Sequence, residues 1–177
     1  MSEKWWDKAL SLVEGCTPVS ESCEHCWLAA QYYRFRPENN YLPSDDGPGI
    51  PNLTKYDKPE FTGEIILHED RLDIPLKTRK PTVFAVWSDL FHEKVPFDFI
   101  DQVFRKIIVS GLTRKHIFLI LTKRPERMAE YVRGGNSFTH LEPFDYVWFG
   151  TTVENQEQAD KRIPHLRCKC NFKRSPK

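Results

Sequence analysis

The chain alternates short β-branched or aromatic runs with stretches of helical spacing. Glu64–Leu67 is a brief strand candidate, and Thr82–Trp87 (TVFAVW) has the composition of a buried strand. Over 97–109 the rhythm changes: Ile100, Val103, Phe104, Ile107 and Ile108 fall on one face at i, i+3, i+4, i+7, i+8, which predicts a helix stopped near Gly111. His116–Leu121 (HIFLIL) reads as a second buried strand. Arg124–Arg133 reads as a helix with Pro125 in its first turn, closed by Gly134–Gly135. Tyr146–Phe149 and Asn155–Leu166 repeat the strand-then-helix order. Three successive βα units predict an α/β fold with a parallel sheet, as an open sheet or a partial barrel. Residues 36–60, rich in Pro, Gly, Asn and Asp, read as a long excursion without regular structure.

Both architectures place ligand sites at the carboxyl ends of the strands. Those ends carry Ser88-Asp89, then Thr122-Lys123-Arg124, then Thr151 through Asn155, with Glu154 among them. Carboxylates, hydroxyls, an amide and two cations together suit a zwitterionic ligand. The competing reading is helix capping by Ser88, Thr122 and Asn155. Lys123-Arg124 resists that reading, because cations are unfavourable at a helix N-terminus. An anion-binding role fits them better.

Composition narrows the class. At 177 residues, with 40% hydrophobic and 29% charged residues, the chain suits one folded domain rather than a disordered one. We assign residues 1–167 to that domain and 168–177 to an atypical basic tail. Apolar runs reach about five residues, far below a membrane span. The opening MSEKWWDKAL lacks a signal-peptide core, so a cytoplasmic location is expected. The net charge of +1 conceals an asymmetry. After Asp160 come seven Lys or Arg and no acid; without those seven, 19 basic residues face 25 acidic ones, a net −6. The body gives no electrostatic reason for a nucleic-acid surface, and the tail only a slight one.

Of five cysteines, Cys16, Cys23 and Cys26 fall within eleven residues, in GCTPVSESCEHCW. An odd count without a secretion signal argues against a disulfide framework and for metal or redox chemistry. Three thiolates can hold a [4Fe–4S] cluster with one iron open to another ligand. A structural zinc needs a fourth ligand, from His25, Cys168 or Cys170. Cys26 opens the helical run CWLAAQYYRFR, so the loop meets a helix N-terminus, where negative charge is favoured.

A three-cysteine loop before a βα series resembles the radical S-adenosylmethionine (radical SAM) superfamily. The first gap departs from the usual motif: six residues here against three, with the second gap of two retained. The chain is more similar to a family of phage and prophage three-cysteine proteins of unassigned activity, themselves radical SAM-like. The matching stretches are GCTPVSESCEHCW after Trp5-Trp6, FTGEIILHEDRL, WSDLFHEKVP, LTKRPERM and FGTTVENQEQADKRIPHLRC, spanning residues 5 to about 168. The resemblance implies an incomplete TIM-like barrel of radical SAM type. It implies Cys16, Cys23 and Cys26 as cluster ligands. Ser88, Asp89, Lys123, Arg124, Glu154 and Asn155 stand where such proteins gather cofactor and substrate. Gly63-Glu64 is faintly similar to the strand that holds the methionine amino group. An active member would take S-adenosylmethionine, an electron donor and an unnamed substrate, and would generate a 5′-deoxyadenosyl radical.

After Arg167-Cys168 the text KCNFKRSPK leaves the family pattern, which implies a truncated chain. Two alternatives to an enzyme therefore stand: a zinc-holding binding module for a phage protein or nucleic acid, and an inactive truncated remnant.

Overall fold

The computed structural model describes residues 4–35, 41–42, 50–51, 53–134 and 145–166. In chain order these form β1 (Lys8–Leu10), β2 (Val13–Glu14), a 3-10 turn (Glu21–His25), α1 (Trp27–Arg34), β3 (Tyr41–Leu42), β4 (Ile50–Pro51) and β5 (Ile66–Leu67). A second 3-10 turn (Glu69–Arg71) follows, then α2 (Ile74–Lys77), β6 (Val83–Val86), α3 (Phe97–Arg114), β7 (Ile117–Thr122), α4 (Pro125–Arg133), β8 (Val147–Thr151) and α5 (Gln156–Leu166). The chain divides into two compact units, one of residues 1–12 with 68–177 and one of residues 13–67.

The larger unit holds a four-stranded parallel sheet in the order β1-β6-β7-β8. The register aligns Leu10, Val86, Ile120 and Phe149 in one row and Phe84, Phe118 and Val147 in another on the same face. These two rows form the core, with Phe84 and Phe118 stacked at 5.4 Å. Burying one such ring contributes about 1.5–3 kcal/mol. Phe104 of α3 stacks on Phe149 at 5.8 Å, and Tyr131 of α4 stacks on Phe104 at 5.5 Å. The two helices therefore cover the same face, and α5 packs beside α4. The opposite face carries Ala9, Ala85, Leu119 and Trp148 in one row and Leu121 with Gly150 in the next. There Leu121 and Trp148 remain 44% and 49% exposed. The strand order never reverses, so among the described residues the sheet is wound in one direction, and it does not close into a barrel.

The βα series matches the sequence reading, with corrections at its edges. The helix expected to stop at Gly111 continues to Arg114 and ends where Lys115 turns left-handed at φ 58°. Gly111 serves close packing instead: a Cβ there would enter the ring of Tyr146. Glu64–Leu67 shrinks to Ile66–Leu67 and lies outside the parallel sheet. The first strand of the sheet is β1, which the apolar pattern does not reveal.

In the smaller unit β2 and β5 pair antiparallel, Val13 opposite Leu67 and Glu14 opposite Ile66. Part of the 36–60 excursion is regular after all: β3 and β4 pair antiparallel, and Thr54 bridges Phe61. Positions 36–40, 43–49 and 52 of that excursion, Gly135, Cys168, Cys170 and the basic tail, on which the truncation reading rests, lie outside the described residues.

Candidate functional site

The cysteine loop belongs to the smaller unit. It begins at Gly15, whose φ of 89° only glycine adopts without strain. A Cβ there would strike the Glu64 carbonyl, so the β2–β5 pair fixes the approach to Cys16. Gly63, at φ 88°, makes the matching turn on the other side, while Glu64 is exposed and precedes its strand. Cys23 lies in the 3-10 turn, and Cys26 occupies the N-cap of α1 with its carbonyl accepting from Ala30 N–H at 3.0 Å. The helix thus starts where the CWLAAQYY run predicts.

All three thiols are half-buried and none is in a disulfide. The Cys16 thiol points to the Thr17 carbonyl at 3.5 Å, and the Cys23 sulfur lies 3.8 Å from Ser20 Oγ. The donor chemistry suits a thiolate-held centre. Among the described residues no three His, Cys, Asp or Glu side chains are gathered closely enough to hold a metal. His25 is exposed beside the thiols.

The strand ends belong to the larger unit, where Asp89 and Arg124 are both 7% exposed. Asp89 Oδ1 accepts from Thr122 Oγ1 at 2.6 Å and from Phe91 N–H at 3.1 Å. Asp89 Oδ2 accepts from Arg124 Nη1 at 2.9 Å. Thr122 Oγ1 in turn accepts from Arg124 N–H at 2.9 Å, and Glu93 lies 3.6 Å from Arg124 Nε. The anion that Arg124 binds is thus the chain's own. This knot ties the end of β6 to the end of β7. His92, fully buried next to it, accepts from Lys94 N–H at 3.1 Å through Nδ1. Burial, and then the Arg124 charge, hold His92 below the ordinary histidine pKa.

Around the knot, Ser88 and Lys123 are half-buried. Ser88 has φ 61°, a left-handed conformation unusual for a side chain larger than glycine. Strain of this kind concentrates at functional positions. Thr151 Oγ1 donates to the Thr122 carbonyl at 2.8 Å, which links β8 to the same end. Glu154 accepts from Arg162 Nη1 at 2.8 Å, and Arg162, almost fully buried, also donates to the Thr152 carbonyl at 2.7 Å. Asn155 caps α5, its Oδ1 accepting from Gln158 N–H at 2.9 Å.

The structure thus brings Asp89 and Arg124 into direct contact and leaves Glu154 in a separate pair with Arg162. Asn155 has the helix-capping role. The periodicity does not single out His92, Glu93 or Arg162. A histidine and a glutamate beside Leu90-Phe91 were the available signal for the first two.

The geometry defines an α/β protein with a parallel sheet and a three-cysteine loop. The chain belongs to the family described as Protein of unknown function (DUF5131), whose model matches residues 2–173. No curated protein and no solved structure matches the chain. No helix among the described residues is long and apolar enough to cross a membrane.

Proposed function

We propose that this chain is a radical SAM-like iron–sulfur protein, related to three-cysteine proteins of phages and prophages. In this reading Cys16, Cys23 and Cys26 hold a [4Fe–4S] cluster, and the strand ends receive S-adenosylmethionine. The observation that carries the reading is topological. The three-cysteine loop follows β1, the first strand of a parallel sheet wound in one direction with α3 and α4 on one face. That winding supports a partial barrel over a doubly wound sheet, whose strand order reverses.

A bound cluster supplies the electron that cleaves the cofactor; the protein supplies binding, orientation and exclusion of water. The Asp89–Arg124–Thr122 knot fixes the ends of β6 and β7. Ser88 and Lys123 flank that knot, a hydroxyl and a cation of the kinds that recognise a zwitterion. Glu154, through Arg162, anchors the segment that leaves β8.

Anaerobic reconstitution with iron and sulfide tests the assignment. We expect about four irons and four sulfides per chain, with the brown charge-transfer absorbance of a cluster. Cys16→Ser should abolish it. A full cluster retained in that variant, or purification with one zinc and no iron, overturns the reading; the zinc result favours a binding module.

A further inference from the structure

A second candidate site lies in the larger unit, at the amino ends of the strands and so opposite the Asp89–Arg124 knot. It is an open cleft of about 620 Å³. Lys8, Lys77, Arg79 and Lys80 line it together with Asp7 and Thr82. All four cations are exposed. The only carboxylate among the lining residues, Asp7, accepts a hydrogen bond from Val83 N–H at 2.8 Å, so it is committed to the start of β6. Four positive charges and one negative thus line the cleft, a net +3, in a chain whose residues 1–160 carry a net −6.

The segment bearing three of these cations is held rigid by a fully buried histidine. His116 Nδ1 accepts from Thr82 N–H at 3.1 Å, and His116 Nε2 donates to the Pro75 carbonyl at 2.9 Å. Thr82 Oγ1 donates to the Lys80 carbonyl at 2.8 Å, and Thr78 Oγ1 to the Ile74 carbonyl at 2.9 Å. Both ends of the 77–82 stretch are therefore pinned. A net-positive lining of this kind repels itself to the extent that water and salt leave unscreened, and an anionic ligand lowers that cost.

We propose that this cleft binds phosphate groups carried in series. The Arg79 guanidinium offers a bidentate fork, and the lysines offer mobile point charges, the combination that recognises phosphate oxygens. The volume falls in the range of small-ligand sites. Consecutive phosphates occur in a free polyphosphate chain, as on a nucleotide, and along a nucleic-acid strand. The site is independent of the cysteine loop and of the proposed cluster.

The test uses the full chain with two probes, inorganic tripolyphosphate by calorimetry and a labelled oligothymidylate by anisotropy. Binding of tripolyphosphate identifies a free polyphosphate as the ligand type; binding of the oligonucleotide alone identifies a strand backbone. With four contacts, affinity for the oligonucleotide should fall about fifty-fold between 50 and 200 mM salt, since each phosphate contact adds about −0.7 to the logarithmic slope. K77E/R79E/K80E should weaken whichever probe binds at least tenfold, whereas K77R/K80R should keep it within about threefold. R79Q/K80Q supplies the same comparison if the charge reversal fails to fold. Wild-type affinity in the folded Glu or Gln variants would place binding elsewhere, as on the basic tail, and overturn the proposal. Failure of the wild type to bind either probe at low salt also overturns it.

Discussion

Replacing Asp89 by Asn tests whether the knot at the strand ends is a structural clamp. The carboxylate accepts three hydrogen bonds, two on Oδ1 and one, from Arg124, on Oδ2. An amide cannot satisfy all three, because its nitrogen must face either Phe91 N–H or the guanidinium, donor against donor. The Arg124 side chain is only 9% exposed, so its charge would lose its closest partner without gaining water. Breaking a buried pair in this way costs about 3–5 kcal/mol. For a domain of ordinary stability, about 5–15 kcal/mol, that is a large fraction. Arg124→Met, which strands the carboxylate instead, should cost a similar amount. The double variant D89N/R124M should cost clearly less than the two single losses combined, since it leaves no charge of this pair buried alone. Urea unfolding followed by far-ultraviolet circular dichroism measures all three. Single losses below about 1 kcal/mol, or strict additivity, would refute the clamp and return both residues to direct ligand binding.

Two other outcomes follow from local geometry. Gly15→Ala should destabilise the smaller unit by at least about 1–2 kcal/mol, the cost of a left-handed alanine, plus a clash with the Glu64 carbonyl. Faster proteolysis of the cysteine loop would report it, and an unchanged cleavage rate would contradict it. His92 has a depressed pKa, so its contribution to stability is present above about pH 6.5 and is lost as the pH falls below that value, where the unfolded chain takes up a proton first. His92→Gln should flatten this acid-side slope; an NMR titration placing His92 at or above the ordinary value would contradict the argument.

The parts legible in the sequence are those with long apolar rhythm. TVFAVW, HIFLIL and the 97–109 stripe reveal β6, β7 and α3 because enough residues repeat one period. Lys8–Leu10 reveals nothing, since only Leu10 is buried and the strand owes its identity to pairing with Phe84–Val86. The candidate site divides similarly. Asp89 and Arg124 were visible as polar residues at strand ends, but their contact, 35 positions apart, depends on the β6–β7 register. The left-handed turn at Ser88 has no sequence signature, because serine does not advertise it as glycine does. Cysteine spacing is written in the sequence; the placement of the thiols depends on Gly15 and on a two-residue strand pair.

The division into units also dictates an order of assembly. β1 pairs with β6, yet Leu10 and Val83 are separated by 73 positions in the chain, with the whole smaller unit between them. Closing that span costs about 4 kcal/mol of chain entropy by (3/2)RT ln n, before any constant is added. The contiguous β6-to-α5 segment has no such closure to make and can nucleate first. On the ribosome β1 must wait for β6 to emerge, its edge unpaired in the meantime. The length of the cysteine-bearing insertion thus sets the chain-entropy cost of adding β1 to the parallel sheet.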